Sequence, residues 1–211
     1  VGSNGSGKTS MLNLICGSTY VDGGQIIMNG EDITNKKEFL RYNDIGRVYQ
    51  NPSMGTCPDM TILENMALAD NKAKSYGLSL GINKKRIEYY KEQLSTLNLG
   101  LEDKLHIKVG VLSGGQRQVV TLLMCTLVTP KLLLLDEHTA ALDPATAEKV
   151  MEITERIVDR NNLTTLMITH NLNSALRTGT RTIMMDSGNI ILDVSGEERA
   201  KMTLDDLLNM Y

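Results

Sequence analysis

Three short runs of this chain join glycine, hydroxyl and charge at spacings suited to phosphate chemistry. Gly2-Ser3-Asn4-Gly5-Ser6-Gly7-Lys8-Thr9 fits the pattern Gly-x-x-x-x-Gly-Lys-Ser/Thr, in which the backbone wraps with its N–H groups turned inward. The helix that follows aims its positive N-terminal end at the same spot, Lys8 reaches the outer phosphates and the Thr9 hydroxyl binds Mg2+. Contacts to a nucleoside triphosphate are therefore expected from Gly2 through Ser10. The second run, Leu112-Ser113-Gly114-Gly115-Gln116, opens a helix: Ser113 suits its cap, and Gly114 and Gly115 leave backbone donors unobstructed before an approaching anion. In the third, four leucines (132–135) lead to Asp136 and Glu137. There Asp136 is placed to hold Mg2+, directly or through water, and Glu137 to take a proton from an attacking water.

These groups require particular elements around them. The leucine run reads as a strand buried on both faces of a parallel sheet, with the acids at its C-terminal end, where ligands of open α/β sheets bind. The spacing predicts the phosphate-loop helix over about 8–15 and strands at Gln25 to Met28 and Ile45 to Tyr49. From about 57 to 127 the pattern turns mostly helical, with Thr61 and Glu64 forming a capping box, a helix over Lys84 to Leu97, and then the helix headed by Ser113. Strands at Leu132 to Leu135 and Thr165 to Ile168 alternate with a helix from Ala145 to Asp159, as in a parallel sheet. Strands at Thr182 to Met185 and Ile190 to Val194 flank the turn Ser187-Gly188-Asn189, and an amphipathic helix closes the chain near Leu204 to Met210.

Taken in this order, the motifs resemble the nucleotide-binding subunit of the ATP-binding cassette (ABC) family over essentially the whole chain. Leu112 to Gln116 equals the family signature, and Gln50 fits its Gln loop. Ala141-Leu142-Asp143 fits its D-loop, and His170 after Leu166 to Thr169 fits its switch histidine. The resemblance implies an α/β P-loop NTPase with a mainly parallel sheet core, a single domain over 1–211 with an inserted helical subdomain at about 57–127. It implies ATP and Mg2+ as cofactors and a head-to-tail dimer, with itself or a second ABC ATPase subunit. Each ATP would lie between one partner's phosphate loop and the other's Ser113, Gly114, Gly115 and Gln116. Glu137 would be the general base, His170 would contact the γ-phosphate, Gln50 would sense Mg2+ and the attacking water, and Asp143 would act across the dimer. Taken residue by residue, Gln50 reads equally as a loop glutamine, Asp143-Pro144 as a cap-and-proline helix start, and His170-Asn171 as a strand end and cap.

The implied activity is ATP hydrolysis that powers solute movement, import favoured, through separate transmembrane permease subunits, with a solute-binding protein as a further partner and a peripheral place on the cytoplasmic face of the membrane. The alternative is a soluble ABC ATPase of translation or DNA maintenance. Translation-type members usually fuse two cassettes, and maintenance members insert a long coiled coil where this chain has a helical insert of ordinary length. A non-hydrolysing switch is disfavoured by the presence of both Glu137 and His170. Two departures stand out. Family members carry strands and an adenine-stacking aromatic upstream of the phosphate loop, so the sequence reads as one lacking its N-terminal strands. His138 stands where most members have Pro; it reads as a subfamily variant, with an imidazole able to tune Glu137.

Composition agrees. At 211 residues and 41% apolar content the chain can bury a sizeable core. A net charge of -3 with scattered basic residues argues against a nucleic-acid face. No segment approaches the roughly 20 apolar residues that span a bilayer, the longest stretch being broken by Pro130 and Lys131. Cys16, Cys57 and Cys125 lack metal-ligand or paired spacing, which fits a reducing compartment.

Overall fold

The structure, a computed structural model, describes residues 1–74 and 81–210. The part of the expected helical insert at 75–80 lies outside the described residues. In chain order the elements are α1 (Lys8–Cys16), β1 (Ile27–Met28), β2 (Glu31–Asp32), α2 (Glu38–Arg41), β3 (Ile45–Val48), α3 (Ile62–Asp70), α4 (Ile87–Ser95), α5 (Gly114–Leu127), β4 (Leu132–Asp136), α6 (Pro144–Arg160), β5 (Thr165–Ile168), α7 (Leu172–Arg177), β6 (Arg181–Asp186), β7 (Asn189–Ser195), α8 (Gly196–Lys201) and α9 (Leu204–Leu208). The chain divides into two compact units, residues 1–41 with 167–211, and residues 42–166.

In the first unit, Val1 and Gly2 run parallel to β6: the Met185 N–H donates to the Val1 carbonyl at 2.9 Å, and Gly2 bridges Met185. The C-terminal end of α1 is closed by Gly17 in the left-handed conformation and by Arg41, whose Nη1 donates to the carbonyls of Leu14 and Ile15 at 2.7 and 2.9 Å. A buried guanidinium thus satisfies carbonyls that a helix end otherwise leaves without donors. The strand expected from Gln25 is shorter, Ile27–Met28, because the Ile26 N–H goes to the Thr34 hydroxyl at 2.8 Å. It pairs with β2 across Asn29-Gly30, both at positive φ, a two-residue hairpin signal that the strand pattern alone did not disclose. β6 and β7 form a longer antiparallel hairpin around Ser187-Gly188. Arg199 of α8 ties the C-terminal end of α7 to β6, donating to the carbonyls of Ala175, Leu176 and Thr178 and to the Thr182 hydroxyl. The closing helix α9 ends at Leu208, two residues before the expected Met210, and starts with a Thr203–Asp206 capping box.

The second unit holds the parallel pair β3–β4, and β5 extends the sheet in the order β3-β4-β5. Leu133, Leu134 and Leu135 are fully or almost fully buried, as expected of a strand covered on both faces. At about 1.5–3 kcal/mol per buried leucine side chain, this run is a principal source of stability. Helix α5 packs Val119, Val120 and Leu122 into the same core, and α6 buries Val150, Ile153, Thr154 and Ile157, the i, i+3, i+4, i+7 stripe of an amphipathic helix. The Thr61–Glu64 capping box starts α3 as the sequence indicated. The helix expected over Lys84 to Leu97 becomes a 3-10 turn, Lys84–Arg86, followed by α4. Its position is fixed by Asp70, which accepts Arg86 Nε and Nη2 at 2.8 and 2.7 Å and the Tyr90 hydroxyl at 2.9 Å.

Candidate functional site

The phosphate loop belongs to the first unit. Gly2 is buried, and a Cβ there would sit 2.2 Å from the Met185 carbonyl oxygen, so only glycine admits this approach to β6. From there the loop turns through Gly5 and Gly7, both at positive φ, into α1. Lys8 Nζ donates to the carbonyls of Gly2 and Ser3 at 2.8 and 2.7 Å and to Ser6 Oγ at 3.4 Å. The ammonium is thus buried inside the loop it follows, and the Ser6 carbonyl accepts the Gly188 N–H at 3.1 Å. Asn4, Thr9 and Ser10 are exposed at the rim and on the first turn of α1. His170 also lies in this unit, exposed at the end of β5, followed by Asn171, which caps α7 by accepting the Ser174 N–H at 3.0 Å.

The remaining candidates lie in the second unit. Ser113 caps α5 in a reciprocal box with Gln116: the Gln116 N–H donates to Ser113 Oγ at 3.3 Å and the Ser113 N–H to Gln116 Oε1 at 3.2 Å. Ser113 and Gly114 are exposed, whereas Gly115 is buried with its Cα face against α6. A Cβ on Gly115 would meet Thr146 Cγ2 at 2.3 Å. Asp143 caps α6, accepting the Thr146 N–H at 3.1 Å, so the signature turn and the Asp143 turn are joined through Thr146. That hydrogen bonding holds the Asp143 carboxyl below its usual range. Gln50 is exposed after β3, leading into the turn Pro52–Met54.

Asp136 ends β4 and Glu137 follows it directly. Asp136 is buried and accepts Arg47 Nη2 at 2.8 Å. Glu137 is half-buried and has φ +48°, left-handed backbone that a non-glycine residue seldom adopts, and its carbonyl accepts the Ala140 N–H at 2.9 Å. His138, 2% exposed, has Nε2 at 3.1 Å from Thr154 Oγ1 of α6, and burial pushes its pKa down to about 4. Its imidazole is therefore neutral and committed to α6.

Several contributors escaped the motif reading. Arg117 donates to Ser53 Oγ at 3.0 Å and to the Gly110 carbonyl at 2.8 Å, linking the signature helix to the segment after Gln50. Gln118 Nε2 donates to the Tyr49 carbonyl at 3.0 Å. Both follow the signature immediately in sequence, the one signal that singles them out. Arg47 and Thr154 carry no sequence signal beyond an unusual charge in an apolar strand and a hydroxyl on an apolar helix stripe.

The oxygen donors assigned to a metal, the Thr9 hydroxyl, the Gln50 amide and the Asp136 carboxylate, are hard ligands of the kind Mg2+ takes. Among the described residues no group of three or more His, Cys, Asp or Glu could hold a metal alone. Among the described residues no helix is long and apolar enough to cross a membrane.

The family model for ABC transporters matches residues 1–140. The chain is 46% identical over 213 residues to the tyrosine transport ATP-binding protein of Clostridioides difficile, covering 100% of this chain and 84% of the relative. It is 31% identical over 214 residues to the phosphonates import ATP-binding protein PhnC of Lactococcus lactis subsp. cremoris, covering 98% and 85% of the two. Among solved structures, the dimeric post-hydrolysis state of the ATP-binding cassette MJ0796, bound to ADP and Pi, superposes with a TM-score of 0.74 at 29% identity, covering 92% of this chain and 82% of that one.

Proposed function

The chain belongs to the ABC transporter family as an ATP-binding subunit whose ATP hydrolysis is coupled to transport, and from that premise we propose how its residues divide the work. Gly2 to Ser10 bind the triphosphate: the inward N–H groups and the α1 N-terminus receive the phosphate oxygens, and Lys8 exchanges its loop carbonyls for the outer phosphates. Ser113, Gly114, Gly115 and Gln116 act on the nucleotide of a partner cassette, with Asp143 beside them. Glu137 accepts the proton of the attacking water, His170 contacts the γ-phosphate and Gln50 orients the water. Mg2+, held by Thr9, Gln50 and Asp136, would neutralise charge on the phosphates.

The observation that carries the reading is the Ser113–Gln116 cap on α5, because it presents a second phosphate-seeking helix start in a chain that already has one on α1. Two such surfaces per chain suit a pair of subunits sharing two nucleotides, and a related cassette has been solved as a dimer. Relatives named for tyrosine transport and phosphonate import support an importer working through separate membrane permease subunits, with a solute-binding protein as a further partner. In that assembly residues 57–127 form the helical subdomain that meets the permease, at the cytoplasmic face of the membrane. No relative reported above favours the translation or DNA-maintenance alternative. The test is gentle extraction of the tagged protein from its own membranes and mass spectrometry of what accompanies it. A multispanning permease with a solute-binding protein is expected; ribosomal or DNA-bound partners with no membrane protein would overturn the transporter reading.

A further inference from the structure

β3 is buried along its whole length, yet one of its residues is an arginine. The parallel register sets Arg47 opposite Leu134, and Asp136, two residues on, shares that face of the sheet. The guanidinium Nη2 accordingly reaches Asp136 Oδ2 at 2.8 Å, with side-chain exposures of only 5% and 10%. A buried charge is costly unless paired, and an apolar residue would fill this face with no such cost, so the pair is weak evidence for a role in stability alone. The rest of Arg47 points to the Gln50 segment. Its guanidinium lies 4.7 Å from the centroid of the Tyr49 ring, and its carbonyl accepts the Cys125 thiol of α5 at 3.2 Å. Tyr49, directly before Gln50, is itself held to α5 by Gln118.

We propose that Arg47 is a positioning residue for ATP hydrolysis, a resident cation that fixes the Asp136 carboxylate and against which a divalent ion must bind. The inference rests on the assignment of Asp136 to the metal. Its physical content is simple: a fixed positive charge on a carboxylate oxygen orients that carboxylate but lowers its affinity for a second cation. Any shift of the guanidinium when the metal arrives is felt by the Tyr49 ring stacked on it, next to Gln50. Arg47 thereby sets the metal concentration at which the site fills.

The experiment measures free Mn2+ by electron paramagnetic resonance during titration of the protein with a non-hydrolysable ATP analogue bound. Wild type, Arg47→Met, Arg47→Lys and Asp136→Asn are compared, with analogue affinity in EDTA measured alongside. Arg47→Met is expected to bind Mn2+ about tenfold tighter with unchanged analogue affinity in EDTA, while Arg47→Lys, which keeps the charge, stays within about twofold of wild type. Weakened Mn2+ binding in Asp136→Asn together with no gain in folded Arg47→Met would overturn the role of Arg47 while sparing the metal assignment. Undiminished binding in Asp136→Asn would overturn both. If Arg47→Met fails to fold, the wild-type protein decides the matter: the Arg47 Nε–H resonance, identified by its loss in Arg47→Lys, should move when Mg2+ is added to the analogue complex, and a stationary resonance refutes the proposal.

Discussion

His138 Nε2 lies 3.1 Å from Thr154 Oγ1, and that hydroxyl gives its own proton to the Val150 carbonyl at 2.7 Å, so the imidazole must be the donor. The ring is thus the neutral Nε2–H tautomer, its hydrogen bond directed to α6. Its pKa in the folded protein, about 4, lies below the ordinary 6.5, so the unfolded chain binds more protons between those values. The sign follows: the buried ring costs nothing above pH 6.5, and stability falls as pH drops from there toward 4. Urea unfolding of wild type should lose about 2 kcal/mol more between pH 7 and pH 5 than that of His138→Gln protein, which retains a donor without the titration. Equal losses in the two proteins would show that the ring is not held neutral by burial.

Glu137 combines a chemical role with an unfavourable backbone. Glu137→Gln keeps the shape and removes the proton acceptor, so phosphate release should fall at least about 100-fold while ATP binding persists. Undiminished turnover would remove Glu137 from its role. Glu137→Gly, which relieves the left-handed backbone at φ +48°, should raise stability by up to about 1 kcal/mol while abolishing turnover. Chemical denaturation read beside a phosphate-release assay separates these effects.

Gly115 and Thr146 set how closely α5 packs on α6. Ala at Gly115 brings a Cβ to 2.3 Å from Thr146 Cγ2 and should destabilise by about 1–3 kcal/mol despite the gain in helix propensity. Thr146→Ser removes the offending methyl group. A double-mutant cycle should return a coupling of about 1 kcal/mol or more in the favourable direction, and strict additivity would place the strain elsewhere.

Met54, a large apolar side chain on the turn after Gln50, is 67% exposed among the described residues. Met54→Glu should leave ATP affinity and thermal stability near wild type and suppress transport in reconstituted vesicles, because it puts a charge on the turn that leads into residues 57–127, the part proposed to meet the permease. Loss of ATP binding along with transport would count against this surface.

What could be read from the sequence alone was what short-range chemistry dictates. The Thr61–Glu64 box, the Ser113 cap on α5 and the Asp143 cap on α6 all close hydrogen bonds over three residues, the phosphate loop follows one contiguous motif, and periodicity marked the buried leucine strand and the apolar stripe of α6. Only the tertiary structure decided which groups meet from far apart. Arg47 reaches Asp136 because the β3–β4 register aligns it with Leu134; a slip of one residue would turn it to the other face of the sheet. Likewise Thr154 receives His138, Thr146 crowds Gly115 and Gln118 holds Tyr49 only after helices have packed against strands. Motif spacing records the chemistry that neighbouring residues perform together. The pairing of a charge in an apolar strand, or of a histidine with a helix hydroxyl, is fixed by strand register and by packing, which no local pattern encodes.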